Sequence, residues 1–261
     1  HKEGLFVSVA VDALVVNTCT GYLCPGLTSY LTESLGLRSD VWPFDLMGMG
    51  CGGALPNLET ARNFLRAHPG TTALCVAVEI CSATLFFDES PDILVSNAIF
   101  GDGAAAVVLS DAASGAGIRL VDLAGGLFPE SRQALHYRWE DSRLRNVLSR
   151  RVPVLGARYA AQVIDGLLAR HRLAHEDIGH WIVHPGGTKV LEAFERAIPL
   201  PAGALDSARA VLREYGNMSS ASVLFVLERV MRVASPARGE LGLMCSFGAG
   251  FSAYAALLEF A

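Results

Sequence analysis

Short apolar runs alternate with amphipathic stretches along most of the chain, and this alternation predicts strands alternating with helices. Residues 12–18, 41–47 and 72–79 are rich in apolar residues, as buried strands are. Between the first two runs, Pro25 and Gly36 stand where a helix is expected to begin and end. This order is typical of an α/β fold with buried, parallel or mixed sheets.

The pattern continues with a short helix at 93–100, predicted to be buried, and with strands at 101–110 and 115–126. Because these two strands follow each other closely, we expect them to pair. From 127 to 151 the chain is polar, which predicts surface and loop.

After this polar stretch, apolar residues at helical spacing predict a long helix from Pro153 to Arg172. A strand in HWIVHPGG (180–187) comes next, and the chain finishes as a hairpin of two strands. Three further helices are predicted at 187–197, 206–215 and 218–233.

The order strand, special loop, helix occurs around Cys51 and again around His184, which indicates a duplicated unit. We therefore expect two halves, 1–127 with Cys51 and 128–261 with His184 and Asn217.

Composition narrows the class of protein. The chain has 261 residues, 51% hydrophobic and 18% charged, which is enough to bury a large core. Its net charge of −5 argues against a nucleic-acid partner, and no apolar run reaches the ~20 residues that span a bilayer. The first residues do not resemble a secretory signal. The six cysteines fit no zinc-finger spacing, so we expect reduced thiols and a cytoplasmic protein.

The strongest chemical signal is the segment 48–53, Gly-Met-Gly-Cys-Gly-Gly, between a predicted strand and a helix. The unpaired amides and dipole of a helix N-terminus favour an anion, so a thiol at Cys51 is expected to lose its proton readily. The glycines leave room for a substrate carbonyl. Cys51 is therefore a candidate nucleophile.

Two other interpretations apply to the same segment. A cysteine in an apolar chain is usually a small buried hydrophobe. Gly48, Gly50 and Gly53 also spell G-x-G-x-x-G, the dinucleotide-binding pattern, with Glu79 near the position of a ribose-binding acid.

His184 ends a predicted strand, and Asn217 precedes a predicted helix. A histidine can pair with a thiol, and an asparagine can donate to a developing oxyanion. Alone, each has a plainer interpretation, a core histidine or a helix cap. Together with Cys51 they form a candidate Cys-His-Asn set. A metal cluster is disfavoured, because the spacing of its candidate ligands is that of surface histidines: His171, His175 and His180.

The motifs GMGCGGALPNL, AIFGDGAAAVVL, HPGG and YGNMSSASVLFVLE, in this order, resemble the type III polyketide synthases of the chalcone synthase family. CTGYLCPGL resembles its bacterial branch. The resemblance implies a thiolase-like αβαβα sandwich of two like halves that works as a homodimer. It also implies iterative decarboxylative condensation of malonyl-CoA onto an acyl-CoA starter, then cyclisation to a pyrone, resorcinol or related aromatic product. No metal or cofactor is implied beyond the CoA thioesters.

The resemblance also implies roles for individual residues. Cys51 would carry the acyl chain, and His184 with Asn217 would bind the thioester oxygen and stabilise the enolate. Phe100 matches the gatekeeper between the CoA tunnel and the cavity. The remaining positions are those that shape the cavity, face the partner or form the C-terminal glycine loop: Thr84, Cys19, Cys24, Gly248 and Gly250.

The sequence departs from this family in two places. Ala249 stands where relatives carry a proline, and relatives have roughly a hundred residues before the position of Val11, so the first half is expected to lack its N-terminal portion. Two further alternatives stay open, a ketoacyl-carrier-protein synthase III-like enzyme and an inactive thiolase-fold subunit that binds a partner or lipid.

Overall fold

The computed structural model describes residues 10–111 and 117–261, so the opening segment 1–9 lies outside the described residues. The strands are β1 Ala13–Thr18, β2 Trp42–Met47, β3 Thr72–Glu79, β4 Gly103–Ser110, β5 Ile118–Leu127, β6 Leu135–Glu140, β7 Arg143–Leu148, β8 His180–Val183, β9 Leu241–Gly248 and β10 Ser252–Phe260. The helices are α1 Leu27–Leu35, α2 Ala54–Ala67, α3 Pro91–Ile99, α4 Val152–His171, α5 Thr188–Ala197, α6 Asp206–Tyr215 and α7 Ser222–Arg229.

The described strands form two four-stranded sheets and one hairpin. The first sheet has the order β2-β1-β3-β4, with β1 parallel to both neighbours and β4 antiparallel to β3. The second has the order β5-β10-β9-β8, with β8 and β9 parallel and the other pairs antiparallel. These are mixed sheets, as predicted.

Helices and sheets alternate in five layers. α2 and α7 lie between the two sheets and contact strands of both. α1 covers the outer face of the first sheet, and α4 covers that of the second with α5 packed against it. One continuous apolar core joins Val15 in the first sheet, Leu55 on α2 and Leu257 in the second sheet. This is the αβαβα sandwich that was predicted.

The predicted pairing of the strands after α3 is wrong. β5 pairs with β10 across nine residue pairs, and β4 pairs with β3. Gly125 in β5 lies against the ring of Tyr254 in β10, at a distance where a Cβ would clash. Such a long-range fit is not visible in the order of the strands. The proposed boundary at 127 therefore falls at the end of a strand of the second sheet.

The region 127–151 is not loop alone, because β6 and β7 form an antiparallel hairpin there. Asp141 and Ser142 make its turn with φ of 47° and 59°, the left-handed conformation of tight hairpin turns. Its strands carry many polar residues, and Trp139 is largely exposed. The polar residues that predicted a loop belong to a two-stranded ribbon, β6 and β7, with solvent on one face.

Two helix predictions also need correction. α3 is not buried, since Leu94 and Val95 are about half exposed. The helix expected over 218–233 is divided into a 3₁₀ turn at Ser219–Ala221, α7, and a π-helical turn at Val230–Ala234. Across residues 10–111 and 117–261, the helices fall short of the length and hydropathy that crossing a membrane requires.

Candidate active site

Cys51 lies in a 3₁₀ turn, Gly50–Gly52, that joins β2 to α2. Gly48 and Gly50 have φ of 82° and 56°, a backbone conformation that glycine adopts without strain and that turns the chain sharply after the strand. The Cys51 residue is 8% exposed. Gly248, at the end of β9, packs its Cα directly against this turn, so the second sheet supports the cysteine from below.

The expected acidity of Cys51 is not found in this buried setting. Burial raises the pKa of the thiol to about 11, because the charged form is poorly solvated. Hydrogen bonds from the side chains of Ser219 and Asn217 act in the opposite direction, and the charge of Glu79 raises the pKa further. The resting residue is therefore a thiol at neutral pH.

His184 follows β8 and is 1% exposed. Its backbone N–H donates to the Cys245 carbonyl at 2.8 Å, and its ring lies edge-on to Phe247 with centroids 6.0 Å apart. Within the described residues, Nδ1 has no hydrogen-bond partner. Burial lowers the pKa of the imidazole to about 4, so it is neutral at pH 7 and able to accept a proton.

Asn217 precedes the turn that leads into α7 and is fixed at both its backbone and its side chain. Its backbone N–H donates to Ile99 at 2.7 Å, and its carbonyl accepts from the Gly101 N–H at 3.0 Å. Its Oδ1 accepts the Ser219 N–H at 2.9 Å, which leaves Nδ2 as the donor. Nδ2 reaches the Gly186 carbonyl at 3.2 Å, and the same side chain acts to lower the pKa of the Cys51 thiol.

These contacts bring the three predicted catalytic positions to one place. Gly186 bridges two of them, because its Cα lies beside the His184 ring while its carbonyl accepts from Asn217. Three distant segments thus meet at the N-terminal ends of α2 and α7, the two central helices. Both helix ends present unpaired N–H groups and partial positive charge.

The predicted pocket residues divide into two groups. Phe100 is bridged to Asn217 through the backbone, and the Sγ of Cys19 lies 3.3 Å from Ser219 Oγ, so both adjoin the site. Thr84 lies in the turn Cys81–Thr84, which contacts the hairpin described below. Cys24 is exposed on the loop before α1. Gly250, with φ of 134°, lies in the β9–β10 turn against Leu127.

Glu79 is a site residue that the sequence did not assign correctly. It is fully buried, and its Oε2 accepts from the Cys19 N–H at 3.0 Å and from Thr20 Oγ1 at 3.1 Å. Its Oε1 accepts from Ser220. These hydrogen bonds leave the carboxylate unable to bind a ribose. The sequence feature that could have identified Glu79 as a buried site residue is its position at the end of an apolar run.

Tyr137 in β6 was missed because its segment was predicted as loop. Burial raises the pKa of its phenol well above the usual value, and negative charge on Cys19 or Cys51 raises it further. The other strand of the hairpin, β7, contacts the turn Cys81–Thr84, in which Thr84 Oγ1 donates to the Cys81 carbonyl at 2.8 Å. The hairpin thus supplies one wall of the site.

The remaining cysteines and histidines behave differently from these. Cys75 and Cys245 are buried in the core. Burial raises the pKa of Cys81 above its usual value, and negative charge on Cys51 raises it further. Each of the three candidate metal-binding histidines lies beside a different carboxylate. The pairs are His171 with Asp122, His175 with Asp165, and His180 with Glu240.

Two family models match the chain, one after the other. Residues 4–123 match FAE1/Type III polyketide synthase-like protein, and residues 119–260 match the C-terminal domain of chalcone and stilbene synthases.

Among curated relatives, 1,3,6,8-tetrahydroxynaphthalene synthase of Streptomyces peucetius subsp. caesius is 41% identical over 95% of this chain and 67% of its own length. The 3,5-dihydroxyphenylacetyl-CoA synthase of Streptomyces toyocaensis is 35% identical over 93% and 64%. The chain thus spans about two thirds of the length of these relatives.

Solved structures agree. The tetrahydroxynaphthalene synthase of Streptomyces coelicolor A3(2) aligns with a TM-score of 0.91 at 30% identity, covering 97% of this chain and 72% of that one. PKS-I from the brown alga Ectocarpus siliculosus aligns with a TM-score of 0.89 at 33% identity, covering 97% and 69%. These relatives support the predicted polyketide synthase. They do not support the dinucleotide-binding protein, the ketoacyl-carrier-protein synthase III-like enzyme or the inactive thiolase-fold subunit. The chain belongs to the type III polyketide synthase family.

Proposed function

We propose that this chain carries the condensing site of a type III polyketide synthase, which extends an acyl-CoA starter with units from malonyl-CoA. The observation that supports this most is that Asn217 Nδ2 donates to the Gly186 carbonyl in the loop after His184, while the turn Ser219–Ala221 that follows Asn217 contacts the turn of Cys51. A nucleophile, a neutral base and an amide donor within one buried site are the groups that thioester condensation requires.

In the loading step, the Cys51 sulfur attacks the carbonyl carbon of the acyl-CoA. His184 takes the thiol proton as the carbon–sulfur bond forms, because the thiol is not ionised at rest and the imidazole is neutral. The proton then passes to the sulfur of the departing CoA. The acyl chain stays on Cys51 as a thioester.

In the extension step, malonyl-CoA loses CO2, and the electron pair of the broken carbon–carbon bond moves into an enolate. His184 and the Nδ2 of Asn217 donate to the enolate oxygen, where the negative charge develops. The enolate carbon attacks the Cys51 thioester, and the Cys51 thiolate leaves. Phe100 borders the entry of the CoA chain, while Thr84, Cys19 and Tyr137 shape the space for the growing polyketide and its cyclisation to an aromatic product or pyrone.

We further propose a cytoplasmic homodimer. Each chain has two halves, and their boundary lies before β5 rather than at 127, because β5 belongs to the second sheet. β2 is an edge strand with Trp42 more than half exposed, and an open strand edge is a ready surface for a second copy. Cys24 lies on the exposed loop before α1 and faces the partner in this assembly. Light scattering coupled to gel filtration should give twice the chain mass, and a monomer at micromolar concentration would contradict the dimer.

The activity is tested by incubating the protein with labelled malonyl-CoA and a panel of short and long acyl-CoAs, and by following CO2 and products. We expect CO2 release and aromatic or pyrone products with at least one starter. Cys51→Ala should abolish the products, because no acyl chain can be loaded, while His184 and Asn217 can still support CO2 release from malonyl-CoA. Asn217→Ala should keep acylation of Cys51, seen by intact mass, but slow CO2 release about 100-fold. Product formation by Cys51→Ala, or none with any starter, would contradict the proposal.

A further inference from the structure

Arg145 on β7 is a buried cation outside the three catalytic positions. Only 8% of the residue is exposed. Its guanidinium lies 2.7 Å from Glu140, 3.2 Å from Asp88 and 3.9 Å from Asp92.

The guanidinium also donates to Ser90 Oγ at 2.8 Å and stacks over the ring of Phe86 at 5.5 Å. Apart from Glu140 on the hairpin itself, all of these partners belong to one segment, 86–92. Arg145 therefore joins the hairpin to the segment that leads into α3.

The hairpin needs such an anchor. Within the described residues, β6 and β7 pair with each other and with neither large sheet, so backbone hydrogen bonds do not fix the hairpin against the core. Side chains do so instead. Asn146 Nδ2 donates to Ser96 Oγ on α3 at 2.9 Å, and Arg145 binds the residues just before that helix.

The anchored hairpin carries Tyr137 into the candidate site. Tyr137 lies opposite Asn146 across the hairpin, and β7 contacts the turn Cys81–Thr84. Thr84 comes two residues before Phe86, so the segment that Arg145 holds begins at the cavity wall. We therefore expect the positions of Tyr137 and Thr84 to depend on the contacts of the buried Arg145, together with the Asn146–Ser96 hydrogen bond.

We propose that Arg145 is a positioning residue: its ion-pair cluster with the segment 86–92 and Glu140 holds the hairpin in place and sets the cavity at Tyr137 and Thr84. Its effect on product choice rests on the proposed function. Removing the cation leaves three neighbouring carboxylates without their common partner, which drives the hairpin and the segment apart. Lysine cannot replace the planar fork that reaches several acceptors at once.

The test compares Arg145→Gln with Arg143→Gln, a matched control that removes an exposed arginine from the same strand. Hydrogen–deuterium exchange in 135–148 should become about tenfold faster in R145Q, roughly 1.4 kcal/mol of opening free energy. It should stay as in the unmodified protein in R143Q. With malonyl-CoA and an accepted starter, R145Q should still acylate Cys51 but give a changed ratio of products.

Unchanged exchange in R145Q overturns the anchor, and faster exchange with an unchanged product ratio overturns its effect on the cavity. Exchange needs no turnover, so it tests the anchor even where the unmodified protein forms no polyketide, a result that would count against the proposed function alone. Where R145Q does not fold, R145K and the double variant R145Q/D88N take its place. R145K should show the same two changes, and D88N should partly restore protection in the double variant.

Discussion

At the scale of single residues, the site is governed by burial. The imidazole of His184 and the thiol of Cys51 are both held in their neutral forms, with pKa values of about 4 and about 11. Reaction therefore requires a proton to move between them when a thioester arrives, and the cost of separating charge is met by the donors at Asn217 and the two helix ends.

The buried histidine predicts how stability depends on pH. Unfolded, His184 binds a proton below about pH 6.5, whereas folded it does so only near pH 4, so the unfolded state gains protons first as the pH falls. The contribution of the neutral His184 to the free energy of unfolding is complete above pH 6.5 and decreases below it. The decrease is about 2 kcal/mol between pH 7.5 and pH 5. Urea unfolding at these two values measures the difference.

His184→Gln, which removes the titrating group, should show a smaller loss over the same interval. Carboxyl groups add little to the difference between these two pH values, because they lose their contribution to stability at more acid pH. Asp102 is an example, since hydrogen bonds from Ser82 hold the pKa of its carboxyl group below its usual value. An equal loss in the variant would show that His184 is not the group responsible.

At the scale of elements, the end of β9 determines where the nucleophile lies. Gly248 has no Cβ, and one placed there would overlap the Met49 carbonyl and lie 2.5 Å from the Gly52 nitrogen. These are backbone atoms of the turn that carries Cys51, so they cannot move aside as a flexible side chain would.

Gly248→Ala should therefore destabilise the protein by about 1–3 kcal/mol or displace the turn, with slower alkylation of Cys51 by iodoacetamide. The matched control is Gly166→Ala on the exposed face of α4, where a Cβ meets nothing within 4 Å. That change should stabilise the helix by about 0.5–1 kcal/mol. Thermal unfolding and alkylation rates measure both, and equal effects of the two substitutions would contradict the packing argument.

Elements with a strong local signal were predictable from the sequence, and those set by distant partners were not. β3 was predicted at its observed bounds because it is a continuous apolar run, and α4 within one residue because its apolar spacing is regular. The β6–β7 hairpin was missed because its turn has no glycine and its strands are polar. The partner of β5 was missed because β10 lies more than a hundred residues away.

The site shows the same division. Cys51, His184 and Asn217 stand out as motifs at strand and helix ends. Tyr137 and Arg145 act through contacts between segments that no local pattern records. The prediction that the helix N-terminus lowers the pKa of the Cys51 thiol was wrong, because the sequence does not reveal how completely the thiol is buried.

At the scale of the whole molecule, the central helices make the two sheets one structure. Leu55 on α2 is fully buried in the core that both sheets share. Truncating it removes contacts on both sides at once, so the halves should lose stability together.

Leu55→Ala should lower the free energy of unfolding by about 2–5 kcal/mol, whereas Leu35→Ala on the surface of α1 should change it by less than about 0.5 kcal/mol. Fluorine NMR of protein labelled with 5-fluorotryptophan reports each half, through Trp42 in the first sheet and Trp181 in the second. The signals of Trp42 and Trp181, assigned apart from that of Trp139 on the hairpin, should disappear at one denaturant concentration in each protein. Separate midpoints would show that the halves unfold independently.

The hairpin has a consequence for how such a protein diversifies. The three catalytic positions lie at the ends of strands and helices that form the five layers: Cys51, His184 and Asn217. A substitution in these segments affects both folding and the reaction. Tyr137 stands on a ribbon that, within the described residues, is bonded to neither large sheet. Mutations in that ribbon can reshape the cavity while the turn that carries Cys51 keeps its packing against Gly248. Evolution can therefore explore new products in the hairpin without first having to rebuild the catalyst.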